Sequence, residues 1–272
     1  MGSRRAKRDV KQSVLPNGRL NLGALRLVES FLSIQGEGKF QGRAAIFLRF
    51  AGCNLNCAGF GVKTKSKKTG ETLIGCDTAR AVFTGHFSYE ILSAEQILAR
   101  VERLCDGLNF KPVVVFTGGE PLLYAEDQNF VNLLEGLDAR NFEIHFETNG
   151  TIEVNFAKFP VYKKCKFALG VKLANSGVSG AKRINPAALA AIIKNAADGF
   201  YKFVLKDPRE SDLEQILQVL KIARAEVWCM PMGADAEELA QNARGVADFA
   251  IKHGFNYSER IHVRLWDKKE GV

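Results

Sequence analysis

The chain has 272 residues, of which 46% are hydrophobic, and a formal net charge of +8 at pH 7. This length and composition suffice for one sizeable core and are ordinary for a single α/β domain. Residues 1–19 are rich in Lys and Arg but hold no apolar run, and no later segment is long and apolar enough to cross a bilayer. We therefore expect a cytoplasmic protein with neither a signal peptide nor a membrane span.

The positive charge also suggests a nucleic-acid partner, because phosphate binding needs Lys and Arg on one face. Much of the excess, however, lies in the first 20 residues, in 61–68 and at the flanks of predicted strands. Charge that is spread in this way argues against nucleic-acid binding.

From about residue 111 onward, β-branched and aromatic runs alternate with helical patterns. This order is typical of βα units around a parallel sheet. The predicted strands are Ala44–Phe50, Pro112–Thr117, Phe142–Glu147, Lys166–Gly170, Tyr201–Leu205, Glu226–Met230 and Ile261–Leu265.

Helix boundaries are also readable between these strands. Three pairs have capping-box spacing and predict helix starts: Ser93 with Gln96, Ser211 with Glu214, and Asp235 with Glu238. Asn185–Pro186 predicts a further start, and Gly254 predicts the end of the last helix.

Three polar or glycine-rich segments follow predicted strands: Gly52 to Cys57, Gly118 to Pro121, and Thr148 to Gly150. Ligands of parallel α/β sheets and barrels bind at the carboxyl ends of the strands, where such loops meet helix N-termini. The chemistry is therefore expected at these loops.

Three cysteines lie in or near these loops. Cys53 and Cys57 are separated by three residues, and Cys76 follows within Gly75–Thr78. Three thiolates can hold a [4Fe–4S] cluster and leave one iron open to a substrate or cofactor. The same pair of cysteines is also compatible with zinc binding or with unrelated free thiols. The other cysteines lie in apolar patterns and are predicted to be small core residues: Cys105, Cys165 and Cys229.

The segment Gly118–Gly119–Glu120–Pro121 supports the cluster interpretation. Two glycines let the backbone approach a ligand closely, and a carboxylate can accept hydrogen bonds from an ammonium group. Together with the cysteines, it resembles the radical S-adenosylmethionine (SAM) superfamily, in which this segment receives the amino group of SAM. The usual third cysteine position is occupied by Phe60, so the resemblance implies an insertion at 58–75 that brings Cys76 back as the third ligand.

Further motifs resemble one family within this superfamily. Ser33–Gly38, Gly42–Arg43, Phe47–Leu55 and Cys76–Thr78 match the 7-carboxy-7-deazaguanine synthase family, as does His262. The resemblance runs from about residue 26 to 266. It implies a partial, modified (β/α)6 TIM-like barrel with mostly parallel strands, formed by residues 26–272 after a basic extension at 1–25.

The resemblance also implies an activity. This is the conversion of 6-carboxy-5,6,7,8-tetrahydropterin to 7-carboxy-7-deazaguanine with loss of ammonia, with a [4Fe–4S] cluster, SAM and Mg²⁺ as cofactors. A flavodoxin or ferredoxin would be the electron donor, and the chain would form a homodimer. The alternatives are an activase of glycyl-radical enzymes and a zinc-stabilised nucleic-acid-binding protein.

Site residues follow from the resemblance by position. Substrate would contact Ile34, Gln35, Gly36, Glu37, Arg49, Thr117 and His262. SAM would contact Gly119, Glu120, Asn149, Gly170, Val171, Lys172, Met230, Pro231, Met232 and Gly233. Metal ligands would be Cys53, Cys57 and Cys76 for the cluster and Thr78 for Mg²⁺.

The chain departs from the family at three places. At 170–172 and 230–233 only Lys172, Pro231 and Met232 match the usual residues, and residues 267–272 extend a C-terminus whose carboxylate reaches substrate in family members. The insertion carries four lysines and one acidic residue between 61 and 75, which predicts an open basic loop where an acidic electron donor could approach.

Overall fold

The structure is a computed structural model that describes residues 13–14, 20–21, 24–269 and 271. The predicted extension at 1–25 lies largely outside these residues. Its described part includes a pair of two-residue antiparallel strands, in which Ser13 faces Asn21. Within the described residues, no helix is long and apolar enough to span a membrane.

Thirteen strands are present in the described part of the chain. They are β1 (Ser13–Val14), β2 (Leu20–Asn21), β3 (Leu25–Ile34), β4 (Ala44–Phe50), β5 (Val62–Lys65), β6 (Thr72–Gly75), β7 (Glu90–Leu92), β8 (Val113–Gly118), β9 (Ile144–Thr148), β10 (Lys166–Leu169), β11 (Asp198–Leu205), β12 (Glu226–Pro231) and β13 (Asn256–Tyr257).

The helices fall mostly between the strands of the second half. They are α1 (Ala79–Val82), α2 (Ala94–Leu104), α3 (Gln128–Ala139), α4 (Gly180–Arg183), α5 (Pro186–Asn195), α6 (Glu210–Ile222), α7 (Ala236–His253) and α8 (Ile261–Trp266). Short 3₁₀ turns connect several of these elements, among them Ala58–Phe60, Pro121–Tyr124 and Ala174–Ser176.

Within the described residues, the main sheet has nine strands in the order β13-β12-β11-β10-β9-β8-β4-β3-β7. Strands β4 and β8 to β12 run parallel, each beside the next along the chain. Antiparallel β3 flanks β4 on the outside and carries β7 at the far edge. Strand β13 also pairs parallel with β12. This is the partial TIM-like barrel with mostly parallel strands that the resemblance implies, so the fold prediction is confirmed.

The two faces of the sheet differ in what they bury. The outer face packs against the helices in one large apolar cluster that includes Leu48, Phe116, Phe146 and Phe203. The run Val113–Phe116 is buried on both faces, as expected for a central parallel strand. The barrel interior holds a small apolar patch around Ala45, Val113 and Val115, and its polar residues lie towards the strand ends.

Most predicted helix boundaries agree with the structure. Ser93 and Gln96 form a complete capping box before α2, Asn185 caps α5 through its side chain, and Asp235 caps α7. Gly254 ends α7 in the left-handed conformation, with φ of 68°. Each cap satisfies backbone groups that the helix itself leaves unpaired.

Two predictions near the end of the chain are wrong. The segment Ile261–Leu265, predicted as a strand, is part of helix α8, so Gly254 does not end the last helix. The outer edge of β12 is already paired with β13, so no free sheet edge remains beside it for another strand.

The helix start predicted from the pair Ser211 and Glu214 is also wrong, because α6 begins at Glu210. Asp212 accepts a hydrogen bond from the backbone N–H of Arg209 at 3.0 Å, which fixes the helix start two residues earlier.

The insertion between Cys57 and Cys76 is an ordered β-hairpin rather than an open loop. Strands β5 and β6 pair in antiparallel register, with Val62 opposite Gly75 and Lys65 opposite Thr72. Pairing at the base brings the entry and the exit of the insertion together. An insertion of this length can therefore leave Cys57 and Cys76 as neighbours.

Candidate active site

A cavity of about 370 Å³ opens at the carboxyl ends of the parallel strands. All of the predicted site residues except Glu120 and Val171 line it. They come from loops that are far apart in the chain, from Ile34 at one end to His262 at the other. The sheet therefore gathers into one space the residues that the resemblance assigned to substrate, SAM and metal.

The three cysteines Cys53, Cys57 and Cys76 line this cavity and pack in one small apolar cluster with Leu55 and Val178. Burial raises the pKa of Cys53 to about 12 and also raises the pKa of Cys57. Both are thiols at neutral pH without a metal. Binding of a metal by these cysteines would therefore release their protons.

The chemistry of these three thiols suits an iron–sulfur cluster. Thiolates are the ligands that such clusters prefer. Each of three irons would bind one thiolate, so the three sulfur atoms need not surround a single metal ion.

The loop after β8 is locked to the loop that carries Cys53. Gly119 N–H donates to the Phe50 carbonyl at 3.2 Å, and Glu120 N–H donates to the Gly52 carbonyl at 2.8 Å. A Cβ on Gly119 would lie 2.1 Å from the Gly52 oxygen, so only glycine allows this approach. The glycine pair thus fixes the position of the first cysteine.

Glu120 lies behind the cavity wall and is fully buried. Its carboxylate accepts hydrogen bonds from the N–H of Leu122 at 2.9 Å, from Thr148 Oγ1 at 2.7 Å and from the N–H of Asn149 at 2.7 Å. Burial raises the pKa of this carboxyl. In this arrangement Glu120 positions Asn149, which lines the cavity, and direct contact of Glu120 with SAM stays a prediction.

Gln35, Thr117 and Glu147 form a hydrogen-bonded group in the cavity. Glu147 accepts from Gln35 Nε2 at 3.2 Å through one oxygen and from Thr117 Oγ1 at 2.9 Å through the other. Sequence reasoning selected Gln35 and Thr117 but missed Glu147. Its position as the last residue of a predicted strand, directly before the loop at 148–150, was the available signal.

A second group of charges surrounds Glu37, which is almost buried. Lys202 Nζ donates to one oxygen of Glu37, and Arg260 Nε donates to the other at 2.9 Å. Burial disfavours the charged carboxylate, yet the two cations hold the pKa of Glu37 well below its usual value. Both Glu37 oxygens are thus engaged by the protein.

Arg260 connects three segments of the cavity wall. Besides Glu37 it binds Asp77, next to Cys76, through Nη2 at 2.7 Å, and the Gly233 carbonyl through Nη1 at 2.6 Å. Lys202 likewise lies 3.8 Å from Glu147. Sequence reasoning missed Asp77, Lys202 and Arg260. An isolated lysine within a strand pattern, or an arginine before one, carries no signal that it faces a cavity.

Breaking the buried pair should destabilise the fold. We expect Lys202→Met to lower the free energy of unfolding by about 3 kcal/mol, because it leaves the Glu37 charge buried with one fewer partner. Lys39→Met is the matched control, since Lys39 is about one-third exposed and its pairs with Asp198 and Glu226 should together contribute at most about 1 kcal/mol. Urea unfolding of both variants measures the difference, and equal losses would contradict this account.

Arg49 is fixed by a carboxylate of the neighbouring strand. Glu29 lies directly across from it in the β3–β4 pair and accepts from Arg49 Nε at 2.6 Å. The second oxygen of Glu29 accepts from Arg80 at 3.3 Å. Because Nε is bonded to Glu29, the planar guanidinium group of Arg49 has a defined orientation at the cavity wall.

His262 packs directly against Gly36. A Cβ on Gly36 would lie 1.9 Å from His262 Nδ1, and Ile261 N–H donates to the Gly36 carbonyl at 3.0 Å. Burial lowers the pKa of His262, so the ring is neutral at neutral pH. Helix α8 therefore carries the predicted histidine to the cavity even though the predicted strand is wrong.

The two segments that depart from the family have different surroundings. Lys172 lines the cavity and donates to the Gly170 carbonyl at 2.9 Å, whereas Val171 turns into the apolar core. Met230 to Gly233 continue the cavity wall, where Asn242 Nδ2 donates to the Met232 carbonyl at 2.6 Å.

The extended C-terminus folds back on the start of α7. Asp267 accepts from the Ala236 N–H at 2.9 Å, and Lys268 pairs with Asp235 at 2.9 Å. Residues 270 and 272 lie outside the described part of the chain.

Comparison with known proteins agrees with this site. Residues 48–230 match the radical SAM superfamily model. A protein of Halobacterium salinarum named 7-carboxy-7-deazaguanine synthase is 32% identical over 90% of this chain and 91% of its own. One of the same name from Hyperthermus butylicus is 30% identical over 88% of this chain and 92% of its own.

A solved structure shares the fold. The crystal structure of QueE from Escherichia coli covers 87% of this chain and 93% of its own, with a TM-score of 0.59 and 21% identity. At this identity the likeness concerns the fold alone.

The partial barrel, the three cysteines at its strand ends and the matched model define a radical SAM enzyme. Within that superfamily, the chain belongs to the 7-carboxy-7-deazaguanine synthase family. The family membership predicted from the motifs is therefore confirmed. The two alternatives, a glycyl-radical activase and a zinc-stabilised nucleic-acid-binding protein, are not favoured.

Proposed function

We propose that this chain converts 6-carboxy-5,6,7,8-tetrahydropterin to 7-carboxy-7-deazaguanine with release of ammonia. This carbon–nitrogen lyase reaction would feed queuosine and other 7-deazapurines. The observation that carries the proposal is the single cavity in which three cysteine thiols adjoin the polar group of Gln35, Thr117 and Glu147. Membership of the synthase family supports it.

The radical chemistry would come from the cofactors, because a reduced [4Fe–4S] cluster and SAM would supply a 5′-deoxyadenosyl radical able to abstract the hydrogen at C6 of the pterin. The cluster would be held by Cys53, Cys57 and Cys76. The protein's own task is then to orient the substrate carbon and to exclude water.

The polar group suits the edge of a pterin ring. Carboxylate and amide oxygens accept hydrogen bonds from ring N–H groups, and the amide of Gln35 can also donate. Because Glu147 is already bonded to Gln35 and Thr117, the three side chains are oriented before substrate arrives. Ile34 and Gly36 would contact the ring through the backbone.

Arg49 would bind the substrate carboxylate through its terminal nitrogens, since Glu29 engages Nε. His262, kept neutral by burial, can hydrogen-bond to the substrate without adding a charge. Glu37 would have a different role from the predicted substrate contact. It would hold Lys202 and Arg260 in position rather than touch the pterin ring.

SAM would occupy the part of the cavity lined by Gly119, Asn149, Gly170, Lys172 and Met230 to Gly233. Most of these residues offer backbone groups, which can bind a ligand even where the side chains depart from the family's usual ones. Glu120 would act by holding Asn149 in place.

Other parts of the proposal rest on the family resemblance alone. They are Mg²⁺ as a cofactor, a cytoplasmic location, a homodimer, and a flavodoxin or ferredoxin as electron donor.

The proposed Mg²⁺ ligand, Thr78, gives a specific prediction. Its Oγ1 lies 3.2 Å from Cys76 Sγ and lines the cavity. We expect Thr78→Val to weaken the stimulation of turnover by Mg²⁺ while the iron content stays normal, because one hard oxygen ligand is lost at nearly constant volume. Turnover titrated with Mg²⁺ measures this, and an unaltered response would remove Thr78 from the metal site.

Anaerobic turnover tests the proposed function. The reconstituted protein is incubated with 6-carboxytetrahydropterin, SAM, Mg²⁺ and dithionite, and 7-carboxy-7-deazaguanine and ammonia are measured. The two products should form in equal amounts. An iron-loaded protein that cleaves SAM but yields neither product would refute the proposal.

A further inference from the structure

The β5–β6 hairpin presents a basic face to solvent. Strand alternation puts the side chains of Lys63 and Lys65 outward, and the turn adds exposed Lys67 and Lys68. Glu71 is the single acidic residue between 61 and 75. Within the described residues, none of the four lysines has an ion-pair partner.

The same face carries an exposed apolar side chain. Ile74 lies opposite Lys63 in the hairpin register and is 47% exposed. Its neighbours along the strand, Leu73 and Gly75, turn the other way and are more buried. A protein that covered the basic face would therefore also bury this one apolar side chain.

The hairpin is fixed at both ends, so this face has a defined position. At the tip, Ser66 is buried and its Oγ lies 3.2 Å from His86 Nδ1. At the base, a Cβ on Gly59 would lie 2.4 Å from the Asn175 carbonyl oxygen, so the two backbones are in direct contact.

The base of the hairpin is part of the active site. Cys57 precedes it, Cys76 follows it directly, and Phe60 and Val62 line the cavity. The outer face is therefore a protein surface joined by a few residues to two of the proposed cluster ligands.

We infer that the outer face of the β5–β6 hairpin docks an acidic one-electron donor protein of the flavodoxin type. The inference rests on the proposed function, since it presupposes a cluster held by Cys53, Cys57 and Cys76. The reduced flavin of the donor loses one electron and the cluster site takes up the same electron, so no bond forms or breaks. Carboxylates of the donor complement the four lysines, and Ile74 contacts its apolar centre.

The test compares two variants of equal charge. One changes Lys63, Lys65, Lys67 and Lys68 to Gln. The control changes four exposed lysines at the opposite end of the barrel, where strands begin: Lys163, Lys194, Lys221 and Lys252. Both lower the net charge by the same amount, so a difference between them reports position rather than overall charge.

Two readouts are independent of product formation. Anaerobic stopped-flow absorbance, without SAM or pterin, follows reduction of the iron-loaded protein by an excess of reduced acidic flavodoxin. Carbodiimide crosslinking, mapped by mass spectrometry, shows which lysines lie against flavodoxin carboxylates.

At low ionic strength the hairpin variant should be reduced about tenfold more slowly than wild type, and the control variant at the wild-type rate. The difference should shrink near 1 M salt, where the Debye length is about 3 Å. Wild-type crosslinks should fall on the hairpin lysines, and Ile74→Ser should slow reduction without this salt dependence.

Dithionite separates the possible failures. Reduction by dithionite needs no docked protein and should be equal in all variants. Equal rates with flavodoxin for the hairpin and control variants, or crosslinks outside the hairpin, would overturn the inference. Slow reduction with both reductants would also overturn it, because the hairpin would then shape the cluster site. A protein that is reduced normally but makes no deazapurine would instead refute the proposed function.

Discussion

Cys76→Ala should lose most of its cluster iron and fall to background turnover. Three protein thiolates would hold a cluster with one open iron, and removing Cys76 leaves only Cys53 and Cys57, which both lie between β4 and β5. Wild type should hold about four irons per chain after anaerobic purification, as expected for one [4Fe–4S] cluster. Iron and sulfide analysis measures the loss directly, and Cys53→Ala and Cys57→Ala should behave in the same way.

The chain supplies matched controls for this result. Cys165 and Cys229 are fully buried in the large apolar cluster, and Cys105 is partly buried against it, away from the cavity. Alanine at any of these positions should leave the iron content unchanged. A Cys76→Ala protein with full iron content would show that the ligand set is wrong.

Arg49→Lys should bind SAM normally yet turn over the pterin on the order of 10²-fold less efficiently. Lysine keeps the charge but cannot reproduce the planar fork, and it also loses the Nε bond to Glu29 that orients the group. The loss should appear in kcat/KM for the pterin, while SAM binding, measured by equilibrium titration, stays at the wild-type value.

Arg43→Lys is the control for this change. Arg43 precedes the same strand but forms its ion pair with Glu143 at 2.6 Å on the exposed side of the barrel. Its replacement should leave the pterin kinetics unchanged. If Arg49→Lys also has wild-type kinetics, Arg49 does not bind the substrate carboxylate.

The cavity could largely be predicted from sequence because its local motifs have fixed positions on the fold. Glycines 118 and 119 and the cysteines after β4 follow strands, and the carboxyl ends of parallel strands meet at one end of a barrel. Once the strands were assigned, these loops had to lie together. The structure adds the backbone bonds that join the loop of Gly119 to that of Cys53.

The charged residues of the cavity could not be predicted in this way. Lys202 lies in a strand pattern in which lysine ordinarily faces solvent, and Arg260 lies outside any motif. Their placement depends on long-range contacts with Glu37, 165 and 223 residues away along the chain. No local pattern encodes such a pair.

The alternation in Ile261–Leu265 gave a misleading signal. Apolar residues alternate with His262 and Arg264, as in a half-buried strand, but a strand also needs a free sheet edge. Strand β13 occupies that edge, and the segment forms a helix whose start is held by the Arg260 ion pairs. Tertiary context therefore decided this element.

The most direct test of the account is isotope transfer from the pterin to the cofactor. Substrate deuterated at C6 is incubated anaerobically with the iron-loaded protein, SAM and reductant, and the 5′-deoxyadenosyl group is analysed by mass spectrometry, both as 5′-deoxyadenosine and in recovered SAM. We expect deuterium in that group, at wild-type extent in Arg43→Lys and strongly reduced in Arg49→Lys. Product formation with no deuterium in either compound would contradict the claim that SAM and the pterin react side by side in this one cavity.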